Sequence, residues 1–187
     1  LYMHLVDNAR SYIEHNYKRP LFDRMTRALL AWLLPHPVRF RTAIGLATVA
    51  RPFSFLFSGP LKAMLRLAPK HLPPVAAMTH ATAVGARRGR VALLQGCVEP
   101  TLQPSIRAAT VRLLNRAGYD VMMVKNETCC GALEQHLGRE DAALAKARHN
   151  VDGWTAEIER GGFDAIVITA AGCGTTIKDY GFLLRSD

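Results

Sequence analysis

The sequence has no cysteine before position 97, no apolar run long enough to cross a membrane, and no Gly-x-Gly-x-x-Gly or phosphate-loop glycine pattern. Each absence removes a class of protein. Without a glycine cradle for phosphates, neither a dinucleotide nor a nucleoside triphosphate is indicated, and any strand–helix alternation is a scaffold rather than a sign of NAD. The longest apolar stretch, Phe40 to Phe57, is interrupted by Arg41 and Arg51 and broken by Pro52, whereas a span needs about 20 mainly apolar residues. Leu1-Tyr2-Met3-His4 lacks the basic start and apolar core of a secretory signal, so a disulfide scaffold is not expected. Acids are also scarce at one end: residues 1–90 carry fourteen Lys/Arg against three Asp/Glu, and residues 91–187 carry ten against twelve. So sharp a split implies two regions with different neighbours. Basic surface suits anionic lipid, an acidic partner or nucleic acid. Nucleic acid is not expected, because the cations are dispersed among apolar residues without a recognised motif. The chain opens on Leu1 and ends at Asp187 with no obvious stop to the fold; the expectation is a piece of a longer polypeptide.

Helical spacing is present from the start: Tyr2, Leu5, Ala9, Tyr12 and Ile13 share a face, and Leu21, Met25, Leu29 and Trp32 continue the pattern after Pro20. Pro35 and Pro37 end that helix, and another is expected over 39–50. Beyond it Pro52, Gly59-Pro60, Pro69 and Pro73-Pro74 cut the chain into short pieces. The expected organisation is a basic helical region over 1–72, a linker over 73–89 and a distinct domain over 90–187. In that last region short apolar runs at 90–96, 119–124 and 165–169 read as buried strands. Between them lie helices over 105–117, with Ile106, Ala109, Thr110, Leu113 and Leu114 inward, and over 139–159. A helical turn is expected over 130–137 and another helix from 175. Such alternation predicts a parallel sheet with right-handed crossovers.

The four cysteines occupy telling places. Cys97 follows the first strand, Cys129-Cys130 follow the second, and Cys173 follows the third after Ala170-Ala171-Gly172. In an open parallel sheet, the segments after successive strands gather at the carboxyl edge, where ligands bind. Buried cysteine is commonly no more than a small hydrophobe. That role does not explain why these stand against glycine, as Gly96-Cys97, Cys130-Gly131 and Gly172-Cys173-Gly174. Glycine lets backbone approach a bulky inorganic group, and four thiolates are the ligand count of an iron–sulfur cluster or a structural zinc. Both remain open on the residues alone. His136, Lys178 and Tyr180 lie near the cysteines and suit ordinary helix positions equally well. Glu127 would raise the pKa of neighbouring thiols, which argues against a free nucleophilic cysteine.

The set Leu94-Gln95-Gly96-Cys97-Val98-Glu99-Pro100, Cys129-Cys130-Gly131-Ala132-Leu133 with His136-Leu137-Gly138, and Gly172-Cys173-Gly174 before Lys178-Asp179-Tyr180-Gly181 resembles the cysteine-rich CCG domain family. Its flanks, and the basic helical region before residue 90, are most similar to the iron–sulfur subunits of glycolate oxidases. The resemblance implies a Rossmann-like three-layer module, the first copy of a tandem pair, with an upstream ferredoxin-like region outside this chain. It implies an iron–sulfur cluster, most simply [4Fe-4S], on Cys97, Cys129, Cys130 and Cys173, zinc being the alternative. The fullest family pattern ends in Cys-x-x-Cys; Ala170 stands at the first of those cysteines, leaving four thiols rather than five. The implied role is electron relay from a flavin-containing catalytic subunit oxidising glycolate or another 2-hydroxy acid, so that no catalytic residue is expected in this chain. A lactate-utilisation or heterodisulfide-reductase-like subunit, or a structural zinc module, is the alternative. The implied location is cytoplasmic, with peripheral contact at the inner membrane.

Overall fold

Proline punctuation sets the N-terminal helices. In the computed structural model, which describes residues 2–75 and 80–187, α1 spans Tyr2–Asn16, α2 Leu21–Leu33, α3 Pro37–Ala50 and α4 Gly59–Leu67, with a 3-10 turn at Arg51–Leu56 between the last two. Pro20 caps α2, and Pro37 occupies the first turn of α3. A fixed φ and no N–H to satisfy suit proline there. The expected helix over 39–50 therefore begins earlier, at the proline itself. Residues 76–79 of the expected linker lie outside the described residues. After them Ala81 bridges antiparallel to Val121, through bonds of 3.0 and 2.8 Å.

The second half is the parallel α/β module. Strands β1 (Gly89–Leu93), β2 (Tyr119–Met122) and β3 (Ala165–Val167) form a sheet of order β2-β1-β3. Val91 pairs with Val121 on one side and with Ala165 on the other, both parallel. The remaining helices are α5 (Glu99–Leu102), α6 (Pro104–Arg116), α7 (Ala132–His136), α8 (Glu140–Glu159), α9 (Ala171–Lys178) and α10 (Tyr180–Leu183). The two-residue period of the strands divides their side chains between two cores. Val91, Leu93, Val121 and Met123 pack with Val111 and Leu114 of α6. Ala92, Leu94, Met122 and Val124 pack with Ala147 and Trp154 of α8 and Tyr180 of α10. Helices thus cover both faces, giving three layers.

Two expectations are corrected. Helix α6 is rotated: its buried residues are Arg107 and Asn115, whereas Ile106 and Leu113 are exposed. The rotation follows from polar anchoring, since Arg107 donates to the Gln95 carbonyl and Asn115 Nδ2 to the carbonyls of Thr82 and Tyr119 at 2.7 and 3.0 Å. Helix α9 begins at Ala171 rather than 175, so Cys173 lies in its first turn and not in a loop.

Helix α1 docks on the module with the face opposite to its apolar one. Tyr2, Leu5, Tyr12 and Ile13 are exposed. The contacts come instead from His4, whose ring bonds Asp179 at 2.8 Å and stacks on Phe182 at 3.5 Å, and from the buried Asp7 with Arg10, which meets His136 Nδ1 at 3.0 Å. Gly138 makes the close approach possible: its φ is +72°, and a Cβ there would stand 2.4 Å from the carbonyl oxygen of Arg10. Gly138→Ala is therefore expected to cost about 1–3 kcal/mol through backbone strain and displacement of α1. Denaturant melting should show the loss, and amide exchange should place it in α1. An unchanged midpoint would mean that α1 is not held here.

Candidate metal centre

The three parallel strands deliver the cysteines to one edge. Cys97 follows β1 after the turn at Gly96, Cys129 and Cys130 lie between β2 and α7, and Cys173 opens α9 after β3. Cys129 and Cys130 are buried; Cys97 and Cys173 are half-buried and none forms a disulfide. The sulfurs of Cys97 and Cys129 are 3.7 Å apart. Further thiol contacts join Cys129 to Cys130 and Cys130 to Cys173. All four expected residues are thus brought together, in the order 97–129–130–173. Among the described residues, no three Cys, His, Asp or Glu side chains surround a single point as the ligands of one ion.

Neighbouring sulfurs share protons and so split the four thiols. The adjacent Cys129 sulfur, and then burial, push Cys97 above the ordinary thiol range, and Cys130 is raised in the same way by Cys129 and Cys173. The converse contacts hold Cys129 and Cys173 below it. Backbone N–H groups of Gly131 and Ala132 face the Cys129 and Cys130 sulfurs. That geometry needs Gly131 at φ +82°, where a Cβ would press on the Ala143 carbonyl at 3.1 Å. Cys173 gains from the first turn of α9, whose free N–H groups favour a thiolate. As a donor set this fits a soft metal centre: four sulfur ligands, partly sheltered from water, with N–H groups directed at them.

The supporting residues were largely invisible in the sequence. Asn150 of α8 is fully buried, and its Oδ1 accepts from the Thr128 N–H at 2.8 Å. Its Nδ2 donates to Tyr180 Oη at 3.1 Å and to the Cys129 carbonyl at 3.4 Å. Tyr180 Oη donates to the Cys130 carbonyl at 2.8 Å, and burial holds this phenol above its usual pKa. The backbone of the double cysteine is thereby fixed from two helices. Glu127 performs the matching task for Cys97. Its carboxylate accepts from the Gln95 N–H at 2.8 Å and from Trp154 Nε1 at 2.9 Å, and burial pushes its pKa up. Gln95 Nε2 in turn donates to the Val124 carbonyl at 2.8 Å. His136, by contrast, turns to Asp7 and Arg10. The one available signal for Asn150 was a polar residue within the stripe Ala143, Ala147, Asn150, Trp154 of α8.

Residues 91–178 match the family described as a cysteine-rich domain, CCG. They belong to the CCG family. The whole chain also aligns with the glycolate oxidase iron-sulfur subunit of Escherichia coli, at 38% identity over 186 residues, and with the probable glycolate oxidase iron-sulfur subunit of Bacillus subtilis, at 30% over 201. It covers 43% and 44% of those two proteins, so it spans under half of their length. Lactate utilization protein A of an Exiguobacterium species is 31% identical over 97 residues, covering 52% of this chain and 38% of that protein. No solved structure gives a significant match. The chain is thus similar to iron–sulfur subunits of hydroxy-acid oxidases, with its CCG domain carrying all four cysteines.

Tyr180→Phe removes one hydroxyl and leaves the Cys130 carbonyl without its donor, at an expected cost of about 1–3 kcal/mol. In the metal-free protein the thiols of Cys129 and Cys130 should also react faster with a disulfide reagent. Asn150→Ala should do both more strongly. Unchanged stability and unchanged thiol reactivity in Tyr180→Phe would show that the cysteine backbone is held by other means.

Proposed function

We propose that Cys97, Cys129, Cys130 and Cys173 hold an iron–sulfur cluster, [4Fe-4S] in type, and that the chain is the electron-transfer part of a complex oxidising glycolate or a related 2-hydroxy acid. The observation that carries this is the gathering of four thiols from three separate parts of the chain at one sheet edge. The similarity to proteins named as glycolate oxidase iron-sulfur subunits adds the substrate class. When bound, such a cluster supplies one-electron transfer between a flavin donor and an acceptor. The chain's own residues present the thiolates, shelter Cys129 and Cys130 from water, and fix their backbone through Asn150 and Tyr180. Hydride chemistry belongs to a separate flavin-containing catalytic subunit. On this reading the complex works in the cytoplasm with a peripheral contact at the inner membrane. Among the described residues no helix is long and apolar enough to cross a membrane.

A zinc-binding module is the second reading, favoured by one distance. Two thiolates on a tetrahedral ion with bonds of about 2.3 Å stand roughly 3.8 Å apart, close to the 3.7 Å between Cys97 and Cys129. Metal analysis of anaerobically purified full-length protein separates the two, since zinc thiolates are colourless.

Replacing any one of the four cysteines by serine exchanges a soft ligand for a hard one. Iron content and electron delivery to the natural acceptor should then fall by more than about tenfold. Substrate-driven reduction of a dye that accepts directly from flavin should persist. Normal electron delivery in all four variants would overturn the relay, and loss of zinc in place of iron would establish the second reading.

A further inference from the structure

From Arg24 to Val98 the sequence contains no Asp or Glu, yet it carries eleven Lys/Arg. Within that stretch, Arg51, Arg66 of α4 and Lys70 just beyond it line one groove of about 340 Å³, completed by Thr48, Pro52 and Ser54. Among the described residues these three cations form no ion pair with a carboxylate. Arg66 and Lys70 are exposed and Arg51 half-exposed. Three like charges brought together without a counter-charge destabilise one another unless an anion lies between them. Guanidinium and ammonium groups beside hydroxyls are the donor set for phosphate oxygens.

The same groove borders a cluster of exposed apolar side chains. Phe53 and Leu56 project from the 3-10 turn that begins at Arg51, at 55% and 69% exposure, with Phe55 at 70% and Phe57 just beyond. Leu61, Met64 and Leu67 of α4 are exposed as well. A soluble surface does not ordinarily leave so many large apolar groups adjacent to one another. Cations beside aromatic and aliphatic side chains, with acids excluded, are the composition of segments that lie in a bilayer interface.

We propose that Arg51, Arg66 and Lys70 form a binding site for the phosphate headgroup of an anionic phospholipid, with Phe53, Phe55, Leu56 and Phe57 entering the adjoining acyl region. The site seats this part of the chain on a negatively charged membrane face. It gives residues to the peripheral membrane contact of the proposed function and rests on that part of it, but not on the thiols: a chain that binds zinc, or no metal, would still carry it.

The test is co-sedimentation of the full-length protein with vesicles of phosphatidylcholine alone and of phosphatidylcholine mixed with phosphatidylglycerol. Binding is expected only to the mixed vesicles and should weaken as salt is raised. Arg66→Gln and Lys70→Gln, both on exposed positions, should each lower the partition coefficient about fivefold. Phe53→Ser with Phe55→Ser should abolish binding while leaving the metal content of the protein unchanged. Absence of binding to either vesicle would overturn the proposal and mean that a protein surface covers these residues. Competition by millimolar inorganic phosphate, combined with normal binding of the phenylalanine variant, would also overturn it, marking a site for a soluble anion. Equal binding to neutral vesicles would remove the headgroup from the account.

Discussion

Parallel strand direction is the constraint on which the candidate centre depends. Because β2, β1 and β3 all run the same way, each segment that leaves a strand emerges at one edge, and residues 76 positions apart in the chain become neighbours there. An antiparallel sheet would send alternate segments to opposite ends. With the central β1 reversed against both neighbours, Cys97 would be left at the end opposite to Cys129, Cys130 and Cys173. The crossover helices α6 and α8 are what permit this direction, and they also close the two faces of the sheet against water.

That constraint is also why much of the molecule was legible in its sequence. Short apolar runs ending near glycine marked the three strands, and the cysteines' positions after those runs placed all four at one edge. What was not legible is polar. The inward face of α6 could not be read from Ile106 and Leu113, because Arg107 and Asn115 find acceptors remote in sequence, on Gln95 and Thr82. Hydrophobic periodicity reports which residues avoid water, not which charged group will find a distant carbonyl. Asn150 was passed over for the same reason. So was the docking of α1, whose apolar residues advertise the wrong face while His4, Asp7 and Arg10 make the contacts.

The two halves therefore use different means of cohesion. The CCG domain is built on burial, with Leu93, Val121, Ala147 and Asn150 almost fully enclosed. The region before it buries little of its own, Phe40 and Leu65 being among the few enclosed apolar side chains there. Its link to the domain is largely polar, as in His4 to Asp179 and Arg27 to the Leu137 carbonyl. Polar contacts of this kind contribute modestly and weaken in salt where water reaches them, so this link depends more on conditions than the domain core does.

The bonds from Asn150 and Tyr180 to the backbone of the double cysteine are made by the polypeptide alone. In small metal-dependent domains, the ion is itself the source of the fold, and the apo chain is unfolded. Here hydrogen bonds from Asn150 and Tyr180 add a second hold on the bed of the site. The order of the double cysteine therefore has a source in the polypeptide itself, on the side of the backbone away from the sulfurs.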